Sequence, residues 1–209
     1  MRKITATFAS ALVAAAFSGP AKAHPHVWVE VTSQVVYDST GAATGVRHAW
    51  KFDDMYSTFA LQDLPQKTKG VFTREELAPL AEVNITSLKE SDFFTYAKAG
   101  GKDLEVSDAS DYWLDYKDEA LTLYFTLPFK TPQKAKELTV EVYDPSYFVN
   151  FGFAEKDGVT LVGAPARCTA SIEKPKEMTF GQARTMNESA FMAGNLGVNY
   201  ASKIAVKCP

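Results

Sequence analysis

Hydrophobic and polar residues alternate along the chain from residue 26 onward, which is typical of a strand with one buried face. The apolar positions are Val27, Val29, Val31, Val35 and Tyr37. A second alternating segment covers about residues 43–52, and the intervening Asp38-Ser39-Thr40-Gly41 is turn chemistry. The two segments are therefore predicted to form a hairpin.

The predicted hairpin fixes which residues face each other. With the turn centred near residues 40–42, facing residue numbers sum to roughly 82. Asp53 and Asp54 then lie beside the segment that starts at His26. His48 faces Gln34, which is eight residues further along the strand and about 25 Å from His26.

The rest of the pattern predicts one helical insertion among further strands. Ser57 is predicted to cap a helix over residues 58–64, and the Thr73–Glu76 capping box starts a helix over residues 74–89. The insertion thus covers about residues 57–90. Strands are predicted near residues 93–98, 102–107, 112–116, 120–129, 137–143, 148–153, 159–162 and 166–172, followed by a C-terminal helix over about 180–193. This is an α+β, mainly β fold, resembling an antiparallel β-sandwich.

The first 23 residues have the three parts of a secretory signal peptide. Two basic residues precede an apolar run over residues 4–17, and Ala21-Lys22-Ala23 places small residues at the cleavage site. The run is too short to span a hydrocarbon core of about 30 Å as a helix. Cleavage after Ala23 leaves one predicted periplasmic domain, residues 24–209, that is not itself embedded in a membrane.

The net charge argues against nucleic-acid binding, and the cysteine count predicts a disulfide. Cleavage would remove Arg2, Lys3 and Lys22, leaving 19 basic against 25 acidic residues and a net charge of −6. Such a chain is a poor partner for nucleic acid. Cys168 and Cys208 are the two cysteines, and an even count in an exported chain predicts one disulfide.

The start of the mature chain has the chemistry of a metal chelate. After cleavage, His24 would offer its α-amine and its imidazole, and His26 would add a third nitrogen two residues later. Pro25 has no backbone N–H, so the square-planar copper and nickel motif that uses that amide is blocked. Three nitrogen ligands suit zinc or nickel foremost, with copper also compatible.

Other residues are weaker candidates. Asp53 or Asp54 could complete the metal site from the neighbouring strand, and Asp144 could act as a further ligand or orient a histidine. His48 shares its parity with apolar residues and is expected to be packed in the core. The chain has no hydrolase motif, so we do not expect an enzyme.

Three motifs resemble a known family. They are His24-Pro25-His26-Val27-Trp28, Trp50-x-Phe52-Asp53-x-x-Tyr56-Ser57 and Tyr143-Asp144-Pro145-Ser146-Tyr147-Phe148. The chain resembles uncharacterised bacterial periplasmic proteins that are labelled as periplasmic components of an ABC-type transport system. The resemblance implies metal handling, since members are often encoded beside permeases of the nickel/cobalt exporter class and some are linked to zinc acquisition. It points to His24, His26, Asp53 and Asp144 as the functional positions.

The main hypothesis is thus a metal-binding accessory protein that passes zinc or nickel to a membrane permease. One alternative is a copper-dependent oxidative enzyme that uses His24 as an amino-terminal chelate. Another is a metal-free β-domain that docks onto a partner.

Overall fold

A computed structural model describes residues 25–175, 185, 187, 189–190 and 193–209 of the chain. The predicted leader and His24 lie outside the described residues. So does most of the predicted helix over 180–193, although the described residues 185, 187, 189 and 190 are helical.

Besides the helical residues 185, 187, 189 and 190, the described part of the chain contains eleven strands, two α-helices and two short 3-10 helices. The strands are β1 Val27–Tyr37, β2 Ala43–Phe52, β3 Thr95–Ala99, β4 Lys102–Leu104, β5 Ser110–Lys117, β6 Ala120–Gln133, β7 Glu137–Val142, β8 Val149–Phe153, β9 Val159–Val162, β10 Thr169–Glu173 and β11 Lys203–Lys207. The helices are α1 Asp54–Leu61 and α2 Arg74–Lys89, with 3-10 turns at Asp92–Phe94 and Leu196–Tyr200. The α+β, mainly β prediction is confirmed.

The strands form two sheets. The first has the order β5-β6-β2-β1-β8, with β9 also pairing with β1, and the second has the order β10-β11-β7-β3-β4. All neighbours are antiparallel except β8 and β9, which run parallel to β1. β8 pairs with the first part of β1 and β9 with its last part, so the sheet edge next to β1 consists of two short strands.

The β1–β2 hairpin is confirmed, but its register differs by one residue from the prediction. Val29 faces Phe52 and Val35 faces Val46, and the register shifts between Val36 and Tyr37. The irregular pairing near the turn could not be read from the turn residues alone. Because a shift of one residue changes every facing pair, it matters for the site below.

The helical insertion begins earlier than the sequence predicts. Asp53, not Ser57, caps α1, and its side chain accepts a hydrogen bond from the Tyr56 amide. Ser57 is instead buried inside the helix, where its hydroxyl donates to the Asp53 carbonyl and accepts from the Leu121 amide. The predicted Thr73–Glu76 capping box is present at the start of α2.

The inner face of the first sheet is covered in two halves. One half packs against α1, α2 and the 3-10 turn Asp92–Phe94, around buried residues such as Trp50 and Phe125. The other half packs against the second sheet, around residues such as Val46 and Val140. On the outer face of the first sheet, every second strand residue is exposed or half-buried, and most of these residues are polar.

The predicted disulfide between Cys168 and Cys208 is confirmed. It joins the segment before β10 to the segment after β11, two strands that pair with each other. It closes a loop of 40 residues, and such a link typically contributes about 2–4 kcal/mol. A disulfide is compatible with a secreted or periplasmic protein.

Candidate metal site at the amino terminus

Three segments that are far apart in sequence meet where β1 begins. The His26 amide donates to the Phe148 carbonyl over 2.8 Å, and β1 then continues parallel to β8. On the other side of β1, the Trp28 amide donates to Asp53 Oδ2 over 2.7 Å, and the Asp53 amide donates to the Trp28 carbonyl over 2.9 Å. The three motifs of the family resemblance therefore converge at one end of the sheet.

Both carboxylate oxygens of Asp53 accept hydrogen bonds from backbone amides. Oδ1 accepts from the Tyr56 amide over 2.7 Å as the cap of α1, and Oδ2 accepts from the Trp28 amide. One side chain thus joins the start of a helix to the start of a strand. Asp54 has a different position, inside the first turn of α1, where its Oδ1 accepts from the Met55 amide over 2.9 Å.

Asp144 organises the third segment from a buried position. Its carboxylate accepts from the Ser146 amide and hydroxyl and, over 3.0 Å, from the Val149 amide at the start of β8. Gly197 packs directly against this turn, since a Cβ there would overlap the Asp144 carbonyl oxygen. Asp144, Pro145 and Ser146 thus form a turn between β7 and β8, and the Asp144 carboxylate stabilises it.

His26 is exposed at the start of β1. Its ring centroid lies 4.8 Å from that of Phe148, whose side chain is also exposed. His26 directly precedes β1 and shares its parity with the exposed Trp28 and Glu30. An approaching ion can therefore reach it without any change in the core.

His48 lies in the core, as the sequence predicts, and faces Ser33 rather than Gln34. The Ser33 hydroxyl lies 2.9 Å from Nδ1 and the Thr95 hydroxyl 3.4 Å from Nε2. Because Thr95 donates its proton to the Phe93 carbonyl, it can only accept from Nε2–H, which leaves Nδ1 to accept from Ser33. Burial lowers the pKa of His48 from 6.5 to about 3, so the ring is neutral.

A shallow depression of about 400 Å³ adjoins the converging segments on the outer face of the sheet. Its lining includes Trp28, Glu30 and Asp53 from the hairpin and Glu155 from the segment after β8. Glu30 and Glu155 are not among the residues predicted from the sequence. Glu30 could have been found, because it follows His26 and Trp28 on one parity, whereas Glu155 reaches this face only through the parallel pairing of β8.

The structure thus brings His26, Asp53 and Asp144 to the same end of the molecule and leaves His48 in the core. Within the described part of the chain, no group of three or more His, Cys, Asp or Glu side chains could hold a metal ion. A site here therefore needs a ligand from outside the described residues. The ligand roles of His24, His26, Asp53 and Asp144 stay predictions.

The fold and this site define a two-sheet, disulfide-linked, mainly β domain in which the start of β1 is held beside two aspartates, one that caps a helix and one that stabilises a turn. The chain belongs to the family described as "Protein of unknown function (DUF1007)", whose model matches residues 9–208. It is 24% identical to an uncharacterised protein of Haemophilus influenzae over 193 residues, covering 89% of this chain and 91% of that one.

A shorter relative matches part of the chain. It is the "uncharacterized 15.5 kDa protein in trpE 3'region" of Spirochaeta aurantia, 30% identical over 93 residues, or 44% of this chain and 66% of that protein. These relatives place the chain in an uncharacterised bacterial family. In the part of the chain that is described, no helix is long and apolar enough to cross a membrane.

Proposed function

We propose that this protein is a periplasmic accessory protein that binds zinc or nickel at its mature amino terminus and transfers the ion to a membrane permease. The observation that supports this best is the convergence of the three motif segments around the residues that follow His24. Hydrogen bonds from both neighbouring segments hold β1 from His26 onward. In a chain that starts at His24, only Pro25 would separate the terminal residue from this held segment.

The residues present fit a terminal chelate better than a closed protein cage. His24 would supply its α-amine and imidazole, and the exposed His26 would supply one more nitrogen. Asp53 and Asp144 are better suited to hold β1 and β8 in place, because their oxygens already accept backbone N–H groups. A site with few protein ligands leaves coordination positions open, which favours release to a second protein.

The same geometry makes the proposed affinity sensitive to pH. An α-amine has a pKa of about 7.7–8.0 and must lose its proton before it binds a metal. Affinity should therefore increase with pH between about 6 and 8. Protons released on binding would be detected as a dependence of the binding enthalpy on buffer ionisation.

Calorimetric titration with Zn(II) and with Ni(II) tests the proposal directly. The protein with its first residue at His24 should bind one ion with a Kd of about 10 μM or lower. A form with one glycine added before His24 moves the α-amine away from the imidazole, and His26→Ala removes the third nitrogen. Each change should weaken binding about tenfold or more.

His48→Gln is the matched control, since it alters a histidine that is buried in the core. It should leave metal affinity unchanged in protein that remains folded. Binding weaker than about 10 μM in the native form, or binding that neither terminal change affects, would contradict the proposal. Equal affinity with and without the added glycine would restrict the site to the imidazole groups.

A further inference from the structure

A second depression, of about 390 Å³, lies on the outer face of the first sheet, away from the start of β1. It spans β1, β2 and β6, with β5 and β9 at its sides. Its lining residues on β1 are Thr32, Ser33 and Gln34, six to eight residues from His26, and it shares no lining residue with the depression near Asp53. It is therefore separate from the proposed metal site.

One wall of this depression is aromatic. Trp113 of β5 faces Tyr124 of β6, and the two rings are stacked with centroids 4.8 Å apart and planes 10° from parallel. The Arg74 guanidinium lies 4.5 Å from the centre of the Trp113 ring. On its other side, Tyr124 faces Ala49 of β2, whose methyl group is too short to cover a phenol ring.

The floor and the opposite wall are polar. Arg47 faces both Thr126 and Gln34, and Gln34 in turn faces Thr160 of β9. Within the described part of the chain, none of these four side chains makes a hydrogen bond or ion pair with another protein group. Their donors and acceptors thus line the depression without partners among the described residues.

Two carboxylates stand at opposite rims. Asp111 lies at the irregular pairing of β5 with β6 and has a φ of 47°, and Asp157 lies between β8 and β9 with a φ of 56°. Left-handed backbone is uncommon for residues other than glycine, and such positions often mark binding sites. Bulged strands likewise redirect side chains next to sites.

The charges exclude the simplest ligands. An anion would be attracted by Arg47 but repelled by Asp111 and Asp157, whereas a cation would experience the reverse. The ligand must instead donate to carboxylates and accept from a guanidinium and an amide at short range. It must also present an apolar surface to the uncovered face of Tyr124.

We propose that this depression binds a saccharide. The hydroxyl groups of a sugar ring both donate and accept hydrogen bonds, and the C–H face of the ring packs on an aromatic side chain. The volume lies at the lower end of the range for small-molecule pockets, which suits one or two sugar units. The inference goes beyond the proposed metal function and does not depend on it.

Nuclear magnetic resonance titration of the full mature protein tests the proposal. The probes are glucose, galactose, N-acetylglucosamine and the disaccharides maltose and lactose, with histidine and glutamate as zwitterionic comparators. At least one sugar should shift the amide signals of the strands around Tyr124 and Ala49, with a Kd of about 1 mM or lower.

Two variants with the same new side chain locate the site. Ala49→Leu fills the space beside Tyr124 and should weaken sugar binding about tenfold or more. Thr122→Leu, on the same face of β6 but outside the depression, should not change it. Thermal unfolding checks that both variants are folded.

Three outcomes would overturn the proposal. The first is the absence of any sugar-dependent shift at about 20 mM, well above the affinity expected of a specific site. The second is equal binding by Ala49→Leu and the native protein. The third is binding of an amino acid, sensitive to Ala49→Leu, when no sugar binds, because this would assign the depression to zwitterions.

Discussion

The hairpin carries two histidines in opposite environments. His48 lies on the inner face, hydrogen-bonded to Ser33 and packed near Trp50 and Phe125, while His26 lies exposed where β1 begins. Both are imidazoles, yet only one can meet an ion from solvent. The face of the strand and the depth in the sheet, not the residue type, decide whether a histidine supports structure or is available for binding.

The largest loss of stability is expected when His48 is replaced. His48→Ala would leave a cavity beside Phe125 and remove the partner of the buried Ser33 hydroxyl, so stability should fall by about 3–4 kcal/mol. Urea unfolding measures this loss. A change below about 1 kcal/mol would show that the histidine contributes little to the core.

The pH dependence of stability sharpens the same contrast. Burial lowers the pKa of His48 to about 3, so below pH 6.5 the unfolded chain binds a proton that the folded chain does not. The stabilisation from the neutral ring is present above pH 6.5 and is lost as pH falls. The native protein should lose about 3 kcal/mol between pH 6.5 and pH 4 from this group.

His48→Gln provides the reference for that measurement, since it cannot titrate. Subtracting its stability from that of the native protein at each pH removes the contribution of the carboxylates. The difference should be steepest between about pH 4 and pH 6. A difference that does not change with pH would contradict the lowered pKa.

Asp144 tests whether the amino-terminal end depends on its buried carboxylate. Asp144→Ala removes the acceptor for the Ser146 and Val149 amides, and stability should fall by about 2 kcal/mol. Asp144→Asn keeps one carbonyl oxygen and should lose about half as much. If both substitutions are neutral, the turn is held by its backbone and by Gly197 alone.

The two adjacent aspartates provide a smaller test. Asp53→Ala removes the cap of α1 and the bond to the Trp28 amide and should cost about 1 kcal/mol. Asp54→Ala is the matched control and should change stability by less than about 0.5 kcal/mol, since Asp54 is exposed in the first turn. Equal losses would contradict the assignment of Asp53 as the link between helix and strand.

Sequence patterns predicted the hairpin, the helical insertion and the disulfide because each depends on local periodicity or on a count of cysteines. They did not reveal the one-residue register shift, which arises from an irregular pair near the turn. The prediction that Ser57 caps α1 was wrong for a similar reason. Asp53 and Ser57 are both good capping residues, and only the structure shows that Asp53 accepts the Tyr56 amide at the helix start while Ser57 is buried against Leu121.

At the candidate site, too, local patterns predicted some features and not others. The parity of β1 placed His48 inside and His26 outside. The parallel pairing of β8 and β9 with β1 brings distant residues such as Glu155 and Thr160 to the outer face, and no local pattern encodes that crossover. The aromatic wall of Trp113 and Tyr124 was missed because it depends on how β5 pairs with β6.

The smallest effect on stability is expected at His26, the exposed member of the pair. His26→Ala removes a ring contact with Phe148 at an exposed position, so stability should change by less than about 0.5 kcal/mol in urea unfolding. In the same protein, zinc affinity should fall about tenfold or more, whereas a folded His48 variant should bind zinc like the native protein. A stability loss above about 1 kcal/mol together with unchanged zinc binding would make His26 a structural residue and remove the distinction between the two histidines.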